Sequence, residues 1–413
     1  MSKAAVGQHS HPQLTEALRG QPKTVWVTAF AAVIAFMGIG LVDPILNVLT
    51  EDLGADPSQT TMLFGSYLGV QVVAMLLTGV MSYRFGAKRT LITGLLLIVV
   101  AAGLCALAGD IQTLIWLRAL WGLGNAFFIA TSLSVIVGAA AGSHQGAILL
   151  YEAALGVGLA VGPLLGAVLG SISWRGPFAG TAILMAVGVI LCGSLLGKDN
   201  DGSHRTPVRL VDPLLALRNR NLLLTSIGSA FYTAAFFAII AWAPFVLEEG
   251  AFYIGFVFFG WGLCVAFSGV FLAPKVASWL GERGGATAAV LVYAAILLAM
   301  GSGIKAVVVA GVIFSGVVSG VLNTLFTGSA MSSGTAPRTV NSAGYNFLRW
   351  LGGAVSAILV GHVAVWFGNV SAPFWIAAAS CVVAAGMLLL RRHEASGEDP
   401  HTVPAEAAAL GAD

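Results

Sequence analysis

The chain is 413 residues long, 58% hydrophobic and 9% charged, with a mean hydropathy of +0.90 and a formal net charge of +2. About a quarter of the residues of a soluble domain are charged, so a water-facing globular coat is excluded, and a balance this near neutrality excludes a nucleic-acid partner. Most of its surface is solvated by lipid.

The stretch 1–23 is polar, and the apolar run after it is too long for a cleaved signal peptide, so that run stays in the membrane. A crossing helix needs about 20 mostly apolar residues. Such runs fall at 24–48, 60–82, 89–108, 113–138, 147–170 and 176–197, designated spans 1 to 6. Spans 7 to 12 follow at 222–247, 251–279, 285–303, 305–331, 340–366 and 372–390, after a polar stretch at 198–220. The expected architecture is an all-α integral membrane protein of twelve helices in two six-helix bundles, 24–197 and 221–391. The remainder reads as an N-terminal tail (1–23), a linker (198–220) and a disordered C-terminal tail (392–413).

Basic residues accumulate on the cytoplasmic side of membrane proteins. With both termini inside, that side holds Lys3, Arg19, Lys23, Arg84, Lys88, Arg89, Lys198, Arg205, Arg209, Arg218, Arg220, Lys275, Arg283, Arg338, Arg391 and Arg392. The outer loops hold only Arg175 and Lys305, and carry Glu51, Asp52, Asp56, Asp110, Glu248 and Glu249. Cys105, Cys192, Cys264 and Cys381 sit in apolar runs without metal-type spacing and read as small packing residues. There is no phosphate loop, metal cluster or nucleophile motif, so neither an ATPase nor another enzyme is indicated, and no cofactor.

Several short stretches resemble the major facilitator superfamily. GVMSYRFGAKRTL (79–91) resembles its loop signature after span 2 through Gly79, Arg84, Gly86 and Lys88, with Tyr83 at the acidic position and Ala87 at the second arginine position. Those two departures weaken or rewire any charge-based gate there. LIWLRALWGLGNAFF (114–128) resembles the span 4 pattern through Arg118, Gly122 and Gly124, with Trp121 at the glutamine position. GIGLVDPILNVL (38–49) is similar to span 1 of bacterial drug:proton antiporters, and LNTLFTGSAM (322–331) and SAGYNFLRWLGGA (342–354) resemble aromatic compound and drug exporters. The resemblance implies two pseudo-symmetric six-helix halves and a monomer in the bacterial cytoplasmic membrane. It also implies small-molecule substrates exchanged for protons, with the proton gradient as energy source.

GLAVGPLLG (158–166) matches the antiporter signature of span 5. Gly158, Gly162 and Gly166 lie on one helix face, a groove into which another backbone fits closely. Pro163 removes a backbone donor and bends the helix, which neighbouring helices permit. The groove serves packing alone, or it is a sliding surface between the halves, with Gly262, Ala266 and Gly269 of span 8 as small-residue counterparts.

Ionisable residues at membrane depth point to function. Asp43, Arg118, Glu152 and Arg349 are four such residues. In the superfamily's fold spans 1 and 4 line the cavity, so Asp43 and Arg118 make either a fixed ion pair or one that opens on protonation or substrate arrival. Glu152 is the second candidate proton carrier, and Arg349 stands at similar depth in span 11 with its own local partner. Gln71, Trp121, Asn125, Tyr232, Trp242, Asn323, Tyr345, Asn346 and Trp350 are candidates for a greasy pocket with a few polar anchors. Trp26, Trp174 and Trp366 read as interface anchors, and His362 as a hydrogen-bonded packing residue.

The reading is a proton-coupled exporter of amphipathic or aromatic small molecules. An uptake symporter or facilitator on the same fold is one alternative, and a non-transporting membrane sensor another. For the topology, cysteines introduced near Asp56 and Lys305 are expected to label from outside, and those near Lys88 and Arg209 only after permeabilisation. The reverse pattern in either half overturns it.

Overall fold

The computed structural model describes residues 21–139, 144–197, 209–333 and 338–391. The side chains of Asp43 and Glu152 and the surroundings of Gly79 lie outside the described residues, as do both tails and 198–208. Span 1 is Lys23–Gly40, a tight turn at Asp43–Ile45 and a continuation at Leu46–Asp52. Spans 2 to 6 are Pro57–Phe85, Ala87–Leu107, Ile111–Ala139, His144–Gly170 and Gly176–Leu195. A short helix, Asp212–Ala216, precedes span 7 at Arg220–Leu247.

Span 8 runs through Ala251–Phe267 and a wide turn at Ser268–Leu272 into the helix Ala273–Met300, where Gly281 marks the joint with span 9. Spans 10 to 12 are Lys305–Met331, Arg338–Phe367 and Ala372–Leu389. Ten stretches meet the length and hydropathy needed to cross a bilayer; Ala251–Met300 holds two crossings, and Ile111–Ala139, which carries Arg118, completes the twelve. An even number of crossings puts both ends of the described chain on one face, here the terminal face, opposite a far face.

The expectation of an unbroken span 1 over 24–48 is corrected by the turn at Asp43–Ile45. Its cause is local. Pro44 has no N–H to return to the preceding turn, and it disfavours helical backbone at Asp43. Span 2 starts cleanly because Asp56 accepts from the Gln59 N–H at 2.9 Å while Gln59 Oε1 accepts from Asp56 N–H at 3.1 Å, with Pro57 first in the helix. Before span 4, Asp110 accepts from the Thr113 hydroxyl at 2.6 Å and its N–H at 2.8 Å, which holds the carboxyl below its usual range.

The two halves repeat one device. Gly86, at φ 94°, joins spans 2 and 3, and Gly281, at φ 70°, joins spans 8 and 9; both are in the region that glycine enters freely. Two residues after each glycine stands a cation. Lys88 Nζ donates to the carbonyls of Gly193 and Leu196 at 3.1 and 2.5 Å, closing the end of span 6. Arg283 Nη2 donates to the Leu389 carbonyl and closes the end of span 12. A cation on the unpaired carbonyls of a helix C-terminus satisfies them and meets the negative end of the helix dipole.

Helices meet where glycine lets backbones touch. A Cβ on Gly158 would lie 2.6 Å from the Val33 carbonyl, and one on Gly162 2.5 Å from that of Met37. One on Gly166 would strike the Leu41 carbonyl. The glycine stripe of span 5 therefore faces span 1 of its own half, which favours packing over a sliding surface between the halves. The adjacent face of span 5 makes that contact. Gly255 of span 8 lies against Pro163 and Ala167, Gly262 against Ala160, and Ala266 against Gly156. Gly269 turns instead toward Gly320 and Thr324 of span 10. On the other side of the molecule Gly65 and Gly361 bring span 2 onto span 11 at Ile358 and Ser58.

Overfilling a packed site costs about 1–3 kcal/mol, but these two seams differ in what yields. Gly162→Val wedges a seam inside one half, so it is expected to lower the thermal unfolding midpoint of the purified protein. Gly262→Val wedges only the seam between halves, so it should leave that midpoint near the parent's and slow the conformational cycle. Equal midpoints for the two variants would remove the distinction.

Candidate functional site

Two groups of polar side chains occupy the interior. The first belongs to spans 2 and 4. Arg118, Trp121 and Asn125 recur at helical spacing on span 4, opposite Tyr67 and Gln71 of span 2, and all are fully buried. Arg118 Nε donates to the Leu63 carbonyl and Nη1 to that of Gly38, each at 3.4 Å. Its guanidinium lies 4.6 Å from the Tyr67 ring centroid and 4.8 Å from that of Trp121. Burying a cation in hydrocarbon is costly, and carbonyl acceptors with two aromatic faces offset part of that cost. The Gly38 carbonyl belongs to the last turn before span 1 breaks. Asn125 Nδ2 donates to the Tyr67 hydroxyl and, at 3.1 Å, to Gln71 Oε1.

The second group surrounds a narrow central cavity between the two halves. Phe36 and Ile39 of span 1 and Leu155 and Leu159 of span 5 supply one wall. Tyr232, Thr233, Phe236 and Phe237 of span 7, Asn323 of span 10, and Arg349 and Trp350 of span 11 supply the other. Asn323 Oδ1 accepts from Arg349 Nη2 at 3.0 Å and from the Tyr232 hydroxyl at 3.3 Å. The Arg349 guanidinium is 5.6 Å from the Trp350 ring and 5.9 Å from that of Tyr345. Tyr232 also stacks on Phe326, 5.9 Å between centroids. The result is an aromatic pocket with one amide–guanidinium anchor, a build suited to an amphipathic small molecule.

Of the pocket candidates, Tyr232, Asn323 and Trp350 thus share the cavity, and Arg349 joins them. Gln71, Trp121 and Asn125 form the separate cluster around Arg118. Trp242 donates from Nε1 to the Val370 carbonyl at 2.8 Å, near the far face. Tyr345 accepts from the Ser229 hydroxyl at 3.2 Å inside the second half, and Asn346 is half-buried beside it. Asp43 stands in the break of span 1, five residues beyond Gly38, and Glu152 one turn from Leu155; their side chains lie outside the described residues. Tyr83 and Arg84 are exposed at the end of span 2. His362 bonds the Ile358 carbonyl at 3.0 Å, one turn back on its own helix.

Sequence reasoning missed the aliphatic wall and Asn47. Leu155 and Leu159 do carry a signal, spacing of one turn on the face of span 5 beside its glycine stripe, but leucine in a membrane span is uninformative by type. Asn47, in the continuation of span 1, donates from Nδ2 to the Pro244 carbonyl of span 7 at 3.1 Å and so ties the two halves at the far face.

The sequence and the fold can now be set beside known proteins. The family model of the Major Facilitator Superfamily matches residues 28–357. The multidrug efflux protein YfmO of Bacillus subtilis is 42% identical over 389 residues, 93% of this chain and 97% of that protein. The class C tetracycline resistance protein of Escherichia coli is 29% identical over 196 residues, 44% of this chain and 47% of its own. The quinolone resistance protein NorA of Staphylococcus aureus is 27% identical over 158 residues, 38% of this chain and 40% of its own. The crystal structure of the human organic anion transporter MFSD10 superposes with a TM-score of 0.67 at 17% identity, covering 92% of this chain and all of that one.

A net hydrogen bond is worth about 1 kcal/mol, or roughly fivefold in an equilibrium. Asn47→Leu is therefore expected to raise the maleimide labelling rate of a Ser58→Cys reporter at the far face by about fivefold. An unchanged rate would show that the Asn47 contact does not hold that face shut. Twelve crossings, two six-helix halves meeting at the far face and a central aromatic cavity agree with the family match: the chain belongs to the major facilitator superfamily and is a multi-pass membrane transporter of small molecules, not an enzyme.

Proposed function

We propose that the protein exports amphipathic, aromatic small molecules in exchange for protons, with the terminal face cytoplasmic. The observation that carries this is the cavity itself: Phe236, Phe237, Tyr232 and Trp350 offer ring faces, while Asn323 and Arg349 offer the polar anchor. Identity of 42% along nearly the whole length of a multidrug efflux protein supports efflux of drug-like compounds. The excess of basic residues in the terminal-face loops supports the orientation.

The far face is closed by Asn47–Pro244, by span 2 on span 11 and by span 5 on span 8. On this reading the cavity faces the cytoplasm, loads substrate there, and releases it when those seams part and the halves rock about the midplane site. The coupling group is Asp43, with Glu152 as the second candidate. Asp43 follows the Gly38 carbonyl that binds Arg118, so a change of charge at the break in span 1 acts on the same turn that Arg118 holds.

Asp43→Asn keeps size and hydrogen bonding but fixes the group neutral. Efflux of a dye driven by an imposed pH gradient in inverted vesicles is expected to fall to background, while equilibrium binding of a neutral dye survives. Full gradient-driven transport by this variant moves the coupling role to Glu152. Trp350→Ala, which removes a wall of the cavity, is expected to weaken dye binding by about tenfold, and Trp366→Ala, outside the cavity, to leave it unchanged.

A further inference from the structure

Residues 209–220, RLVDPLLALRNR, form a short strap on the terminal face around the helix Asp212–Ala216. One side of the strap is docked. Pro213 is buried, and its carbonyl stands 2.5 Å from where a Cβ on Gly344 of span 11 would lie, with Leu217 beside it. Leu210 and Val211, in the turn before the helix, and Leu214 and Leu215 within it are each 41–50% exposed. Exposed Arg209, Arg218 and Arg220 bracket these four. The one acid in the stretch, Asp212, turns its carboxylate back to accept the Arg209 N–H at 2.8 Å.

Four greasy side chains in a row between arginines, at the rim of a membrane protein, are the features of a helix lying in the lipid interface. Water gains nothing from that apolar face, and the acyl boundary does. Guanidinium groups at headgroup level attract phosphates, by an amount of about fivefold per cation near an anionic surface. The charge balance selects among lipids: the strap offers three arginines against the single carboxylate of Asp212, so it favours an anionic phospholipid over a zwitterionic one.

We propose that residues 209–220 are a docking surface for anionic phospholipid, with the leucine face in the acyl boundary and Arg209, Arg218 and Arg220 on the headgroups. The site is separate from the cavity and independent of what the transporter carries. Its route to the transporter is the Pro213–Gly344 contact. Gly344 directly precedes Tyr345 and stands five residues before Arg349 on the same helix, so the strap bears on the helix that supplies the cavity's anchor.

The test uses the full chain in vesicles, with bimane on Leu214→Cys in a Cys264→Ala background; the other native cysteines are buried. Vesicles of phosphatidylcholine contain a minor fraction of phosphatidylglycerol, and acyl-brominated quencher is placed on one lipid or the other. Brominated phosphatidylglycerol is expected to quench at least about fivefold more per molecule than brominated phosphatidylcholine. Arg209→Gln, Arg218→Gln and Arg220→Gln together should reduce that preference to near unity, as should high salt. Unquenched bimane in both vesicles overturns the proposal and leaves the face to a protein partner or to water. Equal quenching by the two lipids keeps the strap at the membrane but overturns its choice of anionic lipid.

Discussion

Helices dissolved in hydrocarbon gain nothing by hiding one apolar face against another, because lipid tails are as apolar as leucine. What holds them together is close packing and the few hydrogen bonds that hydrocarbon cannot offer. The architecture here depends on that constraint, and glycine is how the chain meets it. Spans 5 and 1 touch through Gly158, Gly162 and Gly166, spans 4 and 2 through Gly122 on the Tyr67 carbonyl, and spans 11 and 7 through Gly352 on that of Ala230. Each contact sets a backbone against a backbone, leaving no side chain to repack, and each fixes a pair of helices within one half. Glycine's ordinary penalty in a helix, about 1 kcal/mol against alanine in water, is offset by contacts that alanine would forbid.

The same environment decides where polar atoms go. Arg118 is the largest charged side chain fully buried among the described residues, and two backbone carbonyls, of Leu63 and Gly38, accept from it. Pro44 breaks span 1 just beyond Gly38, Arg118 donates to the Gly38 carbonyl, and Tyr67 and Trp121 cover the cation with ring faces. The half-buried cation Arg349 is handled differently: an amide shared with Tyr232 anchors it beside a cavity. One arginine is locked inside a half, and the other stands where a ligand could meet it.

Much of the fold was legible because hydrocarbon thickness sets a length that composition reveals: the twelve apolar runs end within a few residues of the observed helices. The break in span 1 was signalled by Asp43-Pro44 and passed over, since apolar residues continue on both sides. The wide turn at Ser268–Leu272 has no such signal; SGVFL is an ordinary helical stretch by type. At the interior sites the sequence revealed which residues were costly, Arg118 and Arg349 among them, but not which shared a space. Trp242 and Trp350 look alike in sequence, yet one bonds a loop carbonyl near the far face and the other lines the cavity. The direction of the glycine stripe was equally hidden, because spacing gives a face and not its neighbour.

The seams themselves argue for which parts move together. Inside each half, glycine contacts are supplemented by cations that tie loop to helix end: Lys88 binds the joint of spans 2 and 3 to span 6, and Arg283 binds that of spans 8 and 9 to span 12. Between the halves the backbones approach as closely, but mostly through small side chains. Gly156 on Ala266, Ala160 on Gly262 and Gly361 on Ser58 are small residues meeting small residues, with Asn47 on Pro244 as a hydrogen bond across the divide. Small smooth surfaces lose little dispersion energy when they part, and water at the far face can take the amide that Asn47 frees. A seam of that kind can open repeatedly, whereas the three glycines of the span 5 stripe each press on a carbonyl of span 1 over two turns of helix. The division of labour on span 5 follows: its stripe of three glycines keeps the first half rigid, and the neighbouring face, Gly156, Ala160, Pro163 and Ala167, is the surface that alternating access would have to release.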